Sequence, residues 1–320
     1  MRKIVITGGC GFIGSHIVEF FFNKYRGAKI VVVDKITYAA SLQNLSSIYN
    51  FKRLKVYKKD ILDFKFLKKI TKDTDLLIHA AAESHVDNSY RLNDDFIKTN
   101  VLGTKNILQV CKENKVKKII HISTDEIYGE IFSGSFREND KFNPSNPYSS
   151  SKAAAEMIVN GYIHSYNLPV IIVRANNIFG IRQHPEKLIS GCCWSFHKNK
   201  KFTIHGKGLQ KRKFLYVKDF CEALNIIFKK GKIGNAYNIG STFEYKNIDI
   251  VKIIAKENKK LFKKNIKFIK DRPFNDFRYS VNFNKIKKLG WKPISKVEDK
   301  IFEINNWYKE NIHRFKNRFE

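Results

Sequence analysis

Acidic residues are scarce in this chain. Only 30 Asp and Glu stand against 60 Lys and Arg, a formal net charge of +30 over 320 residues. Cysteine is also sparse. The five, Cys10, Cys111, Cys192, Cys193 and Cys221, are odd in number and form no C-x-x-C spacing. Adjacent Cys192 and Cys193 lack a second pair, so no metal site is expected, and all five read as reduced thiols of a cytoplasmic protein. No apolar run reaches the roughly 18 residues of a membrane span. The apolar start at residues 1–6 is too short for an export leader and runs into a Gly-rich turn, so it reads as a first strand. Pro/Ser-rich linkers, repeats and low-complexity tracts are absent, which argues for interleaved lobes rather than a string of modules. Zinc-finger spacings and ribonucleoprotein motifs are absent too, and the lysines are scattered in short pairs such as 117–118, 229–230, 259–260 and 263–264. Asn, Ile, Phe and Tyr are abundant alongside Lys, as AT-rich codons would give. The charge therefore reads as a solvated surface that helps to steer an anionic ligand, with no nucleic-acid partner expected.

What is present is a regular alternation. Apolar strands are predicted at 3–6, 29–33, 54–57, 75–79, 118–122 and 170–173, with helices at 13–23, 64–72, 96–114 and 147–166. Continuous apolar strands alternating with helices mean a parallel sheet covered on both faces. The fold class is α/β, a Rossmann-type doubly wound parallel sheet with a smaller, interleaved α/β domain. Residues 1–175, with a return segment near 211–240, are expected to hold a dinucleotide. Residues 176–320 are expected mainly to hold the substrate, and a final amphipathic helix is predicted around 297–308.

Thr7-Gly8-Gly9-Cys10-Gly11-Phe12-Ile13-Gly14 follows the first strand and opens a helix. Gly8, Gly11 and Gly14 permit a tight turn, close approach of backbone to a pyrophosphate, and close helix packing. The helix N-terminus offers amide donors to phosphate. Cys10 sits where this loop needs a small residue. Asp34 ends the second strand, where a carboxylate accepts both ribose hydroxyls and repels a 2′-phosphate, so NAD is favoured over NADP. Asp60 and Ile61, after the third strand, are placed near the adenine. Ala80, Ala81 and Ala82, after the fourth, let a cofactor pass closely.

The most specific pattern is Ser123-Thr124-Asp125-Glu126-Ile127-Tyr128-Gly129 read with Tyr148-Ser149-Ser150-Ser151-Lys152. Tyr148 and Lys152 lie one helical turn apart, so they share a face. A free phenol has a pKa of about 10, too high for a base at neutral pH. A nearby ammonium and a nicotinamide cation would favour phenolate, and Lys152 can also hold the nicotinamide ribose. A phenolic base beside two carboxylates points to redox chemistry coupled to loss of water.

These motifs resemble the extended short-chain dehydrogenase/reductases, and most closely the nucleoside-diphosphate-glucose 4,6-dehydratases. The similarity continues through Asp34-Lys35-Ile36-Thr37-Tyr38-Ala39, Ala81-Ala82-Glu83-Ser84-His85-Val86-Asp87 and Thr99-Asn100-Val101-Leu102-Gly103-Thr104. It extends to Pro185-Glu186-Lys187-Leu188-Ile189, Phe214-Leu215-Tyr216-Val217, Tyr237-Asn238-Ile239-Gly240 and Asp271-Arg272-Pro273. The resemblance adds Phe12, Ile13, Lys35, Thr37 and Thr99 to the cofactor set. It implies that Tyr148 takes the C4 hydroxyl proton, Thr124 bonds the C4 oxygen, Glu126 removes the C5 proton and Asp125 protonates the departing C6 hydroxyl. It implies phosphate-binding arginines at Arg212 and Arg272, further substrate positions at Ser84, Asn177, Lys187, Leu188 and Asn238, and a homodimer through the helices at 96–114 and 147–166.

There are departures. Thr203-Ile204-His205 stands where bacterial members have Pro-Ile-Tyr near the base pocket, Phe179-Gly180-Ile181 replaces Tyr-Gly-Pro, and Lys211 and Lys213 flank Arg212. Ile204-His205-Gly206 and the run from Arg272 to Tyr279 look more like eukaryotic and plant UDP-glucose members, and lean the nucleotide towards UDP over dTDP. Two alternatives stay open: a nucleotide-sugar 4-epimerase or UDP-glucuronate decarboxylase, which Asp125 disfavours, and a non-catalytic NAD- or nucleic-acid-binding protein on the same fold.

Overall fold

The computed structural model describes residues 1–271 and 274–315. Seven strands form one parallel sheet. They are β1 (Lys3–Thr7), β2 (Lys29–Asp34), β3 (Leu54–Lys58), β4 (Leu76–His79), β5 (Ile119–Thr124), β6 (Val170–Ala175) and β10 (Ala236–Ile239). Their order is β10-β6-β5-β4-β1-β2-β3. The order reverses between β1 and β4, and ligands of such sheets bind outside the carboxyl ends of the strands at this crevice.

Alternate residues of each strand feed two cores. Ile4, Ile6, Ile30, Val32, Ile78 and Ile120 pack on one face. Val5, Val31, Val33, Leu77 and Ile119 pack on the other. Burial on both faces is why these strands read as unbroken apolar runs.

The remaining strands build two small sheets. β7 (Asn177–Phe179) pairs parallel to β9 (Lys211–Tyr216), which pairs antiparallel to β11 (Glu244–Lys246). β8 (Phe202–His205) pairs parallel to β12 (Ile266–Ile269). The chain returns to the large sheet through the helix Val217–Lys230 and β10.

Two helices bring residues to the crevice. The helix Pro147–Tyr166 starts at an Asn146 cap that accepts the Ser149 N–H, with Pro147 in its first turn, and stops at Asn167 in the left-handed conformation. The helix predicted at 96–114 is not uniform. A π-helical stretch, Ile97–Gly103, precedes the α-helix Thr104–Glu113. Asn100 of that stretch is buried, accepts the Glu83 N–H at 2.9 Å and donates to Ser151 Oγ at 2.8 Å. The wider turn thus ties the loop after β4 to the helix of Tyr148. Among the described residues no helix is long and apolar enough to cross a membrane.

Candidate active site

A cavity of about 810 Å³ runs along the carboxyl ends of the sheet into the smaller lobe. At one end lies the glycine loop. Gly8 has φ +70, and a Cβ there would stand 2.7 Å from the Ala81 backbone. A Cβ on Gly14 would stand 1.9 Å from the Gly8 carbonyl oxygen, so helix and turn close on each other. Gly11 differs: its Cβ would meet only that carbonyl, at 3.5 Å, and the residue faces the cavity. The helix Phe12–Lys24 begins there with no side-chain cap. The turn is a cradle with open amides, which fits a pyrophosphate.

Asp34 Oδ2 accepts the Cys10 N–H at 2.8 Å and Oδ1 the Ile36 N–H at 2.7 Å. Each oxygen keeps accepting capacity for a ribose hydroxyl. Burial raises its carboxyl and outweighs those amide bonds. Burial first, then Asp34, pushes the Cys10 thiol up to about 12, so Cys10 is a packing residue rather than a thiolate. Lys35 pairs with Asp60 at 2.9 Å. Phe12, Ile13, Thr37, Ile61, Ala80, Ala81, Ala82 and Thr99 line the same groove. These residues fit the expected dinucleotide.

The second end of the cavity starts where β5 stops. Thr124 is extended and caps a short 3₁₀ turn, Asp125–Tyr128, by accepting the Glu126 N–H at 3.3 Å. Asp125 is 3% exposed. Its Oδ2 accepts from Asn176 Nδ2 at 2.6 Å and its Oδ1 from Thr124 Oγ1 at 3.3 Å. Burial first, and then the Glu126 charge, push its carboxyl up to about 7, against Asn176, Arg212 and Thr124. Asp125 thus carries a proton near neutrality beside a second carboxyl, the arrangement that separates acid from base.

At Tyr148 the protein's own groups act against phenolate. Its phenol is pushed well up rather than down, by burial and by the Glu126 and Asp125 charges, with a Thr124 hydrogen bond opposing them. Lys152 donates to the Ile122 carbonyl at 2.8 Å, and burial pushes its ammonium down to about 8 against the pull of Glu156. Burial first, and then the Glu126 charge, set the phenol in the protein alone.

Ser84, Asn177, Lys187, Leu188, Thr203, His205 and Arg212 all line the cavity. Lys187 Nζ donates to the Ser84 carbonyl at 2.8 Å. Arg212 is 8% exposed and stacks 4.4 Å over the Tyr279 ring. It donates to the carbonyls of Lys211 at 2.8 Å and Asp276 at 2.7 Å. Arg272 lies outside the described residues.

Asn238 needs correction. It is fully buried outside the cavity, where its Oδ1 accepts from Tyr128 at 3.0 Å and its Nδ2 donates to the carbonyls of Phe136 and Asn282 at 3.2 Å. It sits within β10, whose side chains are enclosed by packing. The cavity is lined instead by Asn247, the first residue of the helix Asn247–Glu257. Sequence reasoning also missed Asn176, Tyr279 and the cluster around Glu186. The Glu186 carboxyl is 3.4 Å from His184 and 3.7 Å from His85. Burial would raise it, but His184, Lys187 and His85 bring it down to about 2. Asn176 did have a signal: it directly follows β6, whose Ala175 pairs with Thr124.

Comparisons with known proteins point to one family. The family model described as GDP-mannose 4,6 dehydratase matches residues 5–304. A dTDP-D-glucose 4,6-dehydratase of Dictyostelium discoideum is 41% identical, covering 97% of this chain and 82% of that protein. An Arabidopsis thaliana trifunctional UDP-glucose 4,6-dehydratase, 3,5-epimerase and reductase is 40% identical over 97% of this chain and 47% of its own length. The crystal structure of a Streptomyces venezuelae dTDP-glucose 4,6-dehydratase with NAD bound superposes with a TM-score of 0.96 at 32% identity, covering 98% of this chain and 99% of that one.

Proposed function

This chain belongs to the GDP-mannose 4,6 dehydratase family, and from that premise we infer that it is a nucleoside-diphosphate-glucose 4,6-dehydratase, a hydro-lyase that works with NAD. The observation that carries the reading is the buried Asp125 carboxyl, pushed up to about 7 beside Glu126, Thr124 and Tyr148.

The Gly8–Gly14 turn and Asp34 would hold NAD, which would supply a hydride acceptor at sugar C4 and a hydride donor at C6. The chain's own residues do the rest. The Gly8–Gly14 turn and Asp34 bind and orient the dinucleotide, and the Asp34 charge disfavours a 2′-phosphate. Tyr148 takes the proton of the C4 hydroxyl, Thr124 hydrogen-bonds the C4 oxygen, and Lys152 positions a ribose. The ketone at C4 acidifies the C5 proton, which Glu126 removes. Asp125 gives its proton to the C6 hydroxyl, and water leaves. General acid–base assistance of this kind is typically worth about 10²–10⁴ in rate. Arg212, Lys187, Asn177 and Ser84 are assigned to the nucleoside diphosphate. An epimerase or decarboxylase needs no protonated carboxyl at this place, so Asp125 separates this reading from its rivals.

Residues 1–175 with the return through 211–240 are proposed as the cofactor-binding part, and 176–320 as mainly the substrate part. The helices of the 93–113 and 147–166 segments carry exposed Ile97, Leu102, Met157 and Tyr166, each about half accessible. Paired with a second copy, these faces would form a four-helix dimer interface, which a solution mass measurement tests. A cytoplasmic location is proposed on the strength of the five free thiols.

The test of function is product analysis of the purified protein incubated separately with UDP-glucose and dTDP-glucose, with no added reductant. A 4-keto-6-deoxyglucose nucleotide is the expected product, and the ratio of kcat/KM values names the nucleotide. Galactose or pentose nucleotides, or no product with NAD supplied, would overturn the reading.

A further inference from the structure

We propose that Asn176 is a positioning residue for the loss of water: its amide holds Asp125 Oδ2 as an acceptor, which leaves the acid proton on Oδ1 and steadies the carboxylate formed when that proton departs. The proposal deepens the dehydratase reading above and rests on it.

The direction of the amide is settled by the backbone around it. Asn176 follows β6, and its own N–H donates to the Ile239 carbonyl at 3.0 Å. Its side-chain Oδ1 accepts the Ser241 N–H at 3.2 Å. A backbone N–H only donates, so the amide oxygen must face Ser241 and the NH₂ group must face Asp125. The returning strand leaves room for this: a Cβ at Gly240 would stand 2.6 Å from Asn176 Oδ1. Asn176, Ser241 and Asp125 are all buried. The turn that carries Asp125 is fastened as well, since Tyr128 at its end accepts from Arg174 and donates to Asn238 Oδ1 at 3.0 Å.

The contact sorts the two oxygens of Asp125. Asn176 Nδ2 stands 2.6 Å from Oδ2 and can only donate. The carbonyl oxygen of a carboxylic acid is its stronger acceptor, so Oδ2 is the carbonyl and Oδ1 carries the hydrogen. Oδ1 is the oxygen beside Thr124, whose Oγ1 is 3.3 Å away. In the elimination the Oδ1–H bond breaks as the C6 oxygen gains the proton. The C5–H electron pair, freed by Glu126, becomes the C5–C6 double bond, and the C6–O pair leaves with water. Asp125 is then a carboxylate. Hydrogen bonds to an ionised acceptor are roughly twice as strong as neutral ones, so the Asn176 bond strengthens as the proton moves. An interaction that grows towards the transition state raises kcat rather than ground-state affinity.

The test compares the NAD-loaded parent with Asn176→Leu, which removes the amide, and Asn176→Asp, which keeps the shape and an acceptor for Ser241 but no fixed donor. The charged and titratable groups that act on Asp125 are Glu126 on its own turn, Tyr148 on the helix Pro147–Tyr166 and Arg212 on β9. Both variants leave all three in place. In Asn176→Leu the alkaline limb of the kcat profile is expected to move up by on the order of one to two pH units, and kcat to fall about tenfold with KM unchanged. In Asn176→Asp two carboxyls share a proton, and the limb is expected to move up further. A fall in kcat with the limb in place makes Asn176 a purely structural residue and overturns the proposal. A raised KM at unchanged kcat overturns it too, because the amide would then hold substrate. The parent alone gives a second readout, which decides the matter if neither variant folds. Its infrared difference spectra, taken across about pH 7, are expected to show one protonated-carboxyl band that Asp125→Asn removes. No such band, or two bands from a proton on either oxygen, overturns the assignment. A parent that makes no 4-keto-6-deoxy product is a different result: it sinks the dehydratase reading, while the infrared bands still report on the Asn176 contact.

Discussion

Asp125 and Glu156 are both buried carboxyls, and they are treated in opposite ways. Glu156 is fully enclosed and receives the Arg174 guanidinium, with Arg174 Nε 2.9 Å from its Oε1. Burial alone would lower the Arg174 guanidinium, but Glu156 and Tyr128 hold it above its usual range. Arg174 also donates to the Tyr128 hydroxyl and, at 2.7 Å, to the Glu138 carbonyl. Among the described residues Asp125 has neutral hydrogen-bond partners, Asn176 and Thr124, and the Arg212 charge acts on it without a direct contact. A buried charge is tolerated where a cation meets it, whereas a buried carboxyl without one keeps its proton. One carboxyl is paired with a cation and fastens the helix of Tyr148 to β6. The other is built to give a proton away.

Swapping these treatments breaks the comparison. Asp125→Asn keeps the shape and removes the transferable proton. Its kcat is expected to fall by about 10²–10⁴, with sugar oxidised at C4 but still hydroxylated at C6 detected among the products. An unchanged kcat would remove Asp125 from the elimination step. On the other side, Glu156→Ala strands the Arg174 charge in the interior. Denaturant unfolding should show a loss of about 3–5 kcal/mol, most of which returns when both partners become apolar, as in Glu156→Leu with Arg174→Met.

The pH dependence sharpens the contrast. The Asp125 carboxyl is raised from 3.8 to about 7 in the folded protein. Between these values the folded state binds the extra proton, so the stability contribution of this group falls as pH rises through that window. Relative to Asp125→Asn, the parent should lose on the order of 1–4 kcal/mol between pH 4 and 7, on the scale of roughly 1.4 kcal/mol per pKa unit. Parallel unfolding curves at all pH values would contradict this. Activity requiring protonated Asp125 should likewise decline above about pH 7. The smallest effect belongs to the exposed Lys35–Asp60 pair, whose lysine side chain is 62% accessible. Lys35→Ala should cost under about 1 kcal/mol by the same unfolding assay.

Legibility in the sequence followed locality. The large sheet could be read because each strand is a continuous apolar run, and the glycine turn because its demands fall within a few residues. Thr124, Asp125, Glu126, Tyr148 and Lys152 were readable because each group of them is contiguous or one helical turn apart. The Arg174–Glu156 pair was not, since it joins a strand to a helix and neither residue sits in a motif. Asn238 and Asn247 show the same limit: both are asparagines within ten residues of each other, one in β10 and one opening the next helix, and only three-dimensional packing decides which one faces the cavity. Tyr279 reaches the site from a loop with no periodic pattern, held there by Asp276 and the Arg212 guanidinium.

The most direct test of the whole account is to supply glucose nucleotide carrying deuterium at C4 and locate the label in the product. The account expects a 4-keto-6-deoxy sugar with the label in the new C6 methyl group. Deuterium returned to C4, or lost to solvent with no methyl formed, would contradict it.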